Sequence, residues 1–199
     1  MGNGGMVGAM VLFTLACGGP GDNAKGRDAA AGESTTAQGA AATERTAPPR
    51  VLFLGTSLTA GLGVDPDSSY PSVIQRLAND ARLGIDVING GLSGETSAGA
   101  LRRAEWLLTQ RVAVLVIETG ANDGLRGLDP DTTAANITAL IARARASQPG
   151  AAIVLLQMEA PPNLGQAYTR RFRALYAQVA RATGVRLLPF LLDGVGGKP

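Results

Sequence analysis

From Arg50 onward, short apolar runs alternate with longer stretches in which apolar residues recur at helical spacing. Apolar runs of roughly four to eight residues bounded by Gly or Pro are typical of strands buried on both faces. The predicted strands are Val51–Gly55, Ile85–Asn89, Ala113–Thr119, Ala151–Met158 and Val185–Pro189, and the predicted helices are Tyr70 to Gly84, Ser97–Gln110, Asp131–Ser147 and Tyr168–Thr183. Strands joined by helices of this length favour right-handed crossovers, so we expect an α/β fold, a three-layer, doubly wound, parallel five-stranded sheet.

The helical stretches also predict which side chains face the sheet. Apolar residues about three to four positions apart share one helix face and are expected to pack inward. These are Val73, Ile74, Leu77 and Ala81; Leu101, Ala104, Leu107 and Leu108; and Ile137, Leu140, Ile141 and Ala144. Trp106 is expected to pack its helix onto the sheet together with Leu107.

The N-terminal part has a different pattern. Met6–Cys17 is an apolar run of the length of a signal-peptide core and too short to span a bilayer, so residues 1–17 are predicted to be an export signal. Its end resembles a bacterial lipobox, which would make Cys17 a lipidated membrane anchor; a buried helix with a core cysteine is the alternative. Residues 18–49 carry almost no large apolar side chain and are predicted to be a disordered linker before a domain at 50–199. We therefore expect an exported protein, periplasmic or at the cell surface.

Composition narrows the function classes. The chain has 199 residues, a formal net charge of +2 and scattered arginines, so nothing indicates a nucleic-acid partner. One cysteine permits neither an intrachain disulfide nor a cysteine metal site, and no metal or cofactor is expected. The chain contains no histidine, the usual general base for a serine nucleophile.

The first candidate for chemistry follows the first predicted strand directly, in the run from Gly55 to Gly61. Gly55 permits a sharp strand-to-helix turn, and Ser57 at that turn would present its hydroxyl beside exposed backbone N–H groups. An ordinary turn is the alternative for this short pattern. A phosphate-binding loop is excluded, because it needs Lys-Ser or Lys-Thr after its second glycine and Leu62 follows Gly61 here.

Two further loops follow the next strands. Residues 89–96 (NGGLSGET) follow the second strand and residues 120–123 (GAND) follow the third. Because the carboxyl ends of parallel strands meet at one edge of a sheet, these loops and Ser57 are expected to lie together. A hydroxyl, glycine N–H groups and an asparagine amide are the groups that an acyl-transfer site requires.

The runs FLGTSLTAGLG, NGGLSGETSAGALRR, VIETGANDGLRGLDP and RLLPFLLDGV resemble the SGNH/GDSL hydrolases, especially the branch of bacterial acyl thioesterase I, lysophospholipase and arylesterase. The resemblance implies a flavodoxin-like fold with Ser57 as nucleophile. It also implies an oxyanion hole made by the N–H groups of Ser57 and Gly94 and the side-chain amide of Asn122. Asp123 would brace the Asn122 loop or lie solvated. Thr56 stands where the family most often has Asp.

The last family motif, Asp-x-x-His, supplies the general base and is not found in the sequence. The resemblance implies that this motif and a closing helix follow beyond Pro199, so the domain is expected to be incomplete. Asp193 and Glu159 are interpreted as surface carboxylates without a partner. Loss of the base alone in a serine triad costs on the order of 10⁶ in turnover, leaving roughly 10³–10⁴ over water, so the chain as given is expected to be nearly inactive.

The function implied by the resemblance is hydrolysis of a carboxylic ester or thioester, with a small acyl ester or lysolipid as substrate. The loop Met158–Tyr168 would line the acyl pocket, or simply pack over the sheet. Two alternatives stay open: an inactive surface lipoprotein that uses the pocket as a binding module, and a carbohydrate O-deacetylase on the same scaffold.

Overall fold

Five parallel strands form one sheet with the order β2-β1-β3-β4-β5 in the structure, a computed structural model that describes residues 47–195. The strands are β1 Arg50–Gly55, β2 Asp86–Gly91, β3 Val114–Ile117, β4 Ala152–Leu156 and β5 Arg186–Leu188. The helices are α1 Ser57–Ala60, α2 Tyr70–Asp80, α3 Ser97–Leu107, α4 Ala121–Leu125, α5 Pro130–Ser147 and α6 Gln166–Thr183, with 3₁₀ turns at Pro66–Ser68 and Pro162–Leu164. The predicted α/β, doubly wound, parallel five-stranded sheet is confirmed.

The strand order determines which helices cover each face. The chain moves from β1 to β2 in one direction and then from β2 through β3 and β4 to β5 in the other. With right-handed crossovers, α2 therefore covers one face and α3, α5 and α6 cover the opposite face. The second group packs side by side, α3 against α5 and α5 against α6. The result is the three-layer arrangement expected from the sequence.

The core lies between the sheet and these helices. Leu52, Leu54, Leu115, Ile117 and Leu155 of the central strands are fully buried. The inward face predicted for α5 is also confirmed, since Ile137, Leu140, Ile141 and Ala144 have at most 1% exposure. Fully burying a side chain of this size stabilises the fold by about 1.5–3 kcal/mol.

Three inward assignments are wrong, and one of them is Ala81, which is exposed just beyond the end of α2. Trp106 is 71% exposed because the buried face of α3 is made by Ala100 and Ala104, and Trp106 lies about 200° around the helix from Ala104. Leu77 is 61% exposed because α2 presents Ala78 to the interior. Helix α2 also ends at Asp80, before the predicted stop at Gly84, and Arg82 adopts a left-handed conformation with φ of 53°. Alanine at the contact positions lets each helix approach the sheet closely, and bulkier residues are left outside.

The register positions the loops that carry the candidate residues. Gly55 of β1 pairs with Gly91 of β2, and Leu54 pairs with Ile117 of β3, so the three strands end at the same level. Strand β2 extends two residues beyond its predicted end because Gly90 and Gly91 continue the pairing with β1. The loops after β1, β2 and β3 therefore share the carboxyl edge of the sheet, as predicted.

Several predictions fall on other parts of the chain. The export signal at 1–17, with Cys17, and the predicted linker apart from its last three residues lie outside the described residues, so the proposed division of the chain stays a prediction. Among the helices of residues 47–195, none combines the length and apolar character needed to cross a membrane.

Candidate active site

Ser57 begins α1 immediately after β1, with only Thr56 between them. The short helix lies directly on the ends of β1 and β2, and two glycines make this possible. A Cβ at Gly91 would collide with the backbone of Thr59 and Ala60, and a Cβ at Gly55 would collide with the Thr59 side chain. The helix ends at Gly61, whose φ is 76°. The sharp turn expected at Ser57 is present, and its side chain is half-buried at the sheet edge.

A buried carboxylate that sequence reasoning did not single out lies beneath this turn. Glu118, at the end of β3, is 0% exposed and accepts four hydrogen bonds from the Thr56 and Thr59 N–H groups and hydroxyls. Burial raises the pKa of Glu118, and the hydrogen bonds from Thr56 and Thr59 oppose that rise. The signal that could have revealed it is a glutamate closing the apolar run VLVI.

The loop after β2 is held by contacts at Gly94 and at the residue that follows it. Arg126 donates to the Gly94 carbonyl at 3.0 Å, and Gly94 itself has φ of 78°, a conformation that favours glycine. The next residue, Glu95, makes a two-point ion pair with Arg103, with N···O distances of 2.9 and 2.7 Å. At 3.5 Å, Arg103 also reaches the carbonyl of Gly55, so the pair spans the loops after β1 and β2.

The loop after β3 carries Asn122 and Asp123. The Asn122 side-chain amide donates one hydrogen bond to the Glu95 carbonyl at 3.0 Å, which leaves its second N–H free to donate elsewhere. Asp123 is 2% exposed and accepts hydrogen bonds from the Ser97 N–H and hydroxyl. It is therefore not a solvated carboxylate, since it ties the start of α4 to the start of α3.

These contacts join the three loops into one unit at the carboxyl edge. Within residues 47–195, neither the Ser57 N–H nor the Gly94 N–H donates a hydrogen bond to another residue. The Ser57 hydroxyl, two free backbone donors and one side-chain amide N–H are thus carried by loops tied to one another. That combination suits attack on a carbonyl carbon with stabilisation of the resulting oxyanion.

The two carboxylates that were predicted to be surface residues without a partner lie outside these three loops. Glu159 forms an ion pair with Arg173 at 2.6 Å, so the expectation that it has no partner is wrong, and Asp193 is exposed. The part of the chain that the structure describes contains no cluster of three or more His, Cys, Asp or Glu side chains that could hold a metal ion.

Comparison with known proteins agrees with this geometry. Residues 53–198 match the model of the GDSL-like lipase/acylhydrolase family. The chain belongs to this family. Its SGNH-type ester hydrolase fold places β1, β2 and β3 so that the family motifs meet at one edge of the sheet.

Individual family members are similar over most of their length. The chain is 38% identical to esterase TesA of Pseudomonas aeruginosa over 156 residues, which are 78% of this chain and 77% of that protein. It is 34% identical to thioesterase 1/protease 1/lysophospholipase L1 of Escherichia coli K12 over 151 residues, 75% of this chain and 70% of that protein. The crystal structure of AlinE4, an SGNH-hydrolase family esterase, superposes with a TM-score of 0.71 at 33% identity over 76% of this chain and 81% of AlinE4.

Proposed function

We propose that this GDSL-family chain is a serine ester hydrolase that cleaves carboxylic esters or thioesters through an acyl-enzyme on Ser57. The observation that carries the proposal is the joining of three loops at one sheet edge. Ser57 lies at the start of α1, and the loops of Gly94 and Asn122 are connected by the hydrogen bond from the Asn122 amide to the Glu95 carbonyl. The names of the relatives, an esterase and a thioesterase/lysophospholipase, support this substrate class.

In the proposed reaction, the Ser57 hydroxyl oxygen attacks the carbonyl carbon and its proton passes to a base. The carbonyl oxygen becomes an oxyanion that accepts hydrogen bonds from the Ser57 and Gly94 N–H groups and from Asn122. Collapse expels the alcohol or thiol and leaves Ser57 acylated, and water then releases the acid by the same steps. The bonds that hold the loops support this role, because donors that are held in place before the reaction need no reorganisation during it.

The proposed reaction needs a general base, and the 199 residues contain no histidine that could act as one. We propose that the chain as given turns over slowly, with the Ser57 proton passing to solvent or buffer. Loss of the base in a serine triad costs on the order of 10⁶ in rate, and the oxyanion hole and binding alone retain roughly 10³–10⁴ over water.

Exposed leucines in the same loops support an apolar acyl group. Leu92 is 49% exposed two residues before Gly94, and Leu125 is 64% exposed three residues after Asn122. Large apolar side chains that stay exposed beside a reactive hydroxyl are typical of a binding surface for an apolar ligand. We therefore favour acyl esters, thioesters or lysolipids over acetylated carbohydrates.

The experiment measures p-nitrophenol release from p-nitrophenyl butyrate with and without imidazole, a soluble base of the missing type. The parent chain is expected to respond to imidazole more strongly than Ser57→Ala, which reports the uncatalysed reaction with imidazole. Equal rates for the two proteins, together with failure of a fluorophosphonate to label Ser57, would refute the proposal.

The absence of histidine from the sequence favours one second candidate, a binding module that retains the pocket without turnover. Saturable binding of a lysolipid or fatty acid by the parent chain, with neither imidazole response nor labelling of Ser57, would establish it. A carbohydrate O-deacetylase would instead release acetate from acetylated xylan faster than it cleaves acyl thioesters.

We also propose that the protein is exported to the periplasm or cell surface. The apolar run Met6–Cys17 and the lipobox-like residues around Cys17 support this proposal. Mass spectrometry of the mature N-terminus tests it. A lipid-modified Cys17 would identify a membrane-anchored form, and a cytoplasmic chain that keeps Met1 would contradict export.

A further inference from the structure

The turn that carries Ser57 rests on one buried side chain, Glu118 of the loop after β3. We propose that Glu118 is a positioning residue for Ser57, a carboxylate whose four hydrogen bonds hold the chain on both sides of the nucleophile. This inference rests on the proposed role of Ser57 and adds a residue that acts through Thr56 and Thr59 without touching substrate.

The geometry encloses Ser57 between two anchored residues. Thr56, directly before it, donates to Glu118 through its N–H and its hydroxyl, both at 2.8 Å. Thr59, two residues after it, donates through its hydroxyl at 2.8 Å and its N–H at 3.4 Å. Since both flanking residues are held to the same buried group, Glu118 holds the backbone that carries the Ser57 N–H and side chain.

The network continues to the second helix. The Tyr70 hydroxyl lies 2.7 Å from the Thr59 hydroxyl, and because that hydroxyl already donates to Glu118, Tyr70 is the donor. The Tyr70 ring packs edge-on against Phe53 of β1, with ring centroids 5.4 Å apart. The chain of donors therefore runs from the start of α2 through α1 to the end of β3.

The donor pattern matches an ionised carboxylate. Four N–H and O–H groups point at the two oxygens of Glu118, and an ionised carboxylate is a pure acceptor. Burial raises the pKa of Glu118 and the four donors act against that rise. Replacement by glutamine keeps the shape and puts an NH₂ group where an oxygen accepts, so two donors would face each other.

Thr56 is matched to this carboxylate. The Thr56 hydroxyl lies 2.8 Å from the Glu118 Oε1 atom and donates to it, where an aspartate would place a second carboxylate. Two carboxylates at such a distance cannot both be ionised. The hydroxyl at position 56 therefore lets Glu118 stay charged, and serine is the replacement that retains this donor while valine removes it.

The test measures covalent labelling of Ser57 by a fluorophosphonate at pH 8, in which the Ser57 oxygen bonds to phosphorus, fluoride leaves and the proton goes to solvent. The variants are Glu118→Gln, Thr56→Val and Thr56→Ser, with Glu105→Gln as a control at an exposed carboxylate of α3.

The labelling rate at saturating probe is expected to fall roughly 10–100-fold in Glu118→Gln and Thr56→Val, because a misplaced nucleophile reacts slowly. Thr56→Ser is expected to recover most of the rate, and the probe concentration for half-saturation is expected to change less than about twofold, since substrate contacts are unchanged.

Amide exchange of Thr56 and Thr59, followed by NMR, gives a readout that needs no chemistry at Ser57. Both amides are expected to exchange faster in Glu118→Gln than in Glu105→Gln. Unchanged labelling in folded Glu118→Gln, or equal rates for the valine and serine variants, would overturn the inference while leaving the proposed function intact. If Glu118→Gln does not fold, the valine and serine pair decides in the same way, and a parent chain that is never labelled refutes the nucleophile and its positioning residue together.

Discussion

The side-chain amide of Asn122 donates to the backbone carbonyl of Glu95 at 3.0 Å, which ties the loop after β3 to the loop after β2. One N–H of this amide is used in the tie, and the second is available to an oxyanion. Asn122 therefore has two functions in the proposed reaction, as an oxyanion donor and as the link that holds Gly94.

Replacing Asn122 tests this double use. Asn122→Ala removes both functions, and loss of one oxyanion donor alone costs roughly 10²–10³ in turnover. The imidazole-supported rate of ester cleavage is expected to fall by at least that factor. Asn79→Ala, at an exposed asparagine of α2, is the control and is expected to retain the parent rate. A loss under tenfold in Asn122→Ala would contradict the assignment.

The buried ion pair between Glu95 and Arg103 predicts a loss of stability on breaking it. Their side chains are 5% and 19% exposed, so Arg103→Met strands a buried carboxylate, which costs up to about 3 kcal/mol after allowance for the partial exposure of Arg103. The matched control is Arg171→Met, which breaks exposed pairs with Asp129 and Asp131 and is expected to cost under about 1 kcal/mol.

Urea unfolding of the two variants gives the comparison. The additional change Glu95→Gln in the Arg103→Met background is expected to recover part of the stability, because it removes the unpaired charge. Equal losses in Arg103→Met and Arg171→Met would show that the buried pair does not hold the Gly94 loop.

Gly91 predicts a steric effect where α1 lies on β2. A methyl group there would overlap the backbone of Thr59 and Ala60, which cannot yield as a flexible side chain would. Gly91→Ala is expected to destabilise the fold by about 1–3 kcal/mol or more and to slow Ser57 labelling. Gly150→Ala is the control, since a Cβ there meets no atom within 4 Å, and its thermal midpoint is expected to stay near that of the parent.

The sequence predicts the fold because its strongest signals are local patterns. The strands β1 and β3 are short apolar runs, α5 has apolar residues at helical spacing, and the glycines Gly55 and Gly91 end β1 and β2. The order of parallel strands predicts that the loops carrying Ser57, Gly94 and Asn122 share one edge of the sheet, and the family resemblance singles out these three residues within the loops.

Three features of the structure could not be predicted in this way. Glu118 directly follows the apolar strand β3, and its partners Thr56 and Thr59 are about sixty residues away in the chain, so no local pattern joins them. Glu159 follows β4 and Arg173 lies in α6, so no pattern within a single element joins this pair either. Trp106 was placed inward by hydrophobicity alone, although the close approach of α3 requires the alanines on its other face.

The raised pKa of Glu118 predicts how stability varies with pH. An acid whose pKa is higher in the folded chain than its unfolded value of 4.5 binds more protons when folded. Its contribution to stability is fully present below pH 4.5 and is lost as the pH rises through the folded pKa.

The stability of the parent relative to Glu118→Gln is therefore expected to decline from pH 4.5 upward and to level off above the folded pKa. Thr59→Val removes a hydrogen bond that lowers this pKa, so the decline is expected to extend to higher pH in that variant. Urea unfolding across the pH range measures both effects. A parent whose advantage over Glu118→Gln rises over the same range would show that the pKa is lowered.

The exposed leucine in the Asn122 loop predicts a dependence on acyl length. If Leu125 contacts the acyl chain, Leu125→Ser removes apolar contact worth roughly 1.5 kcal/mol for a long chain, or about tenfold in KM. Acetate esters lack the longer acyl chain, so their KM is expected to stay unchanged, and kcat is expected to change little for either ester because the reacting groups are untouched. Leu77→Ser on α2 is the matched control, since Leu77 is 61% exposed and Leu125 is 64% exposed. Equal increases in KM for acetate and octanoate esters would mean that Leu125 supports the loop and does not contact the acyl chain. The surface that binds the acyl chain would then lie on the side of Leu92.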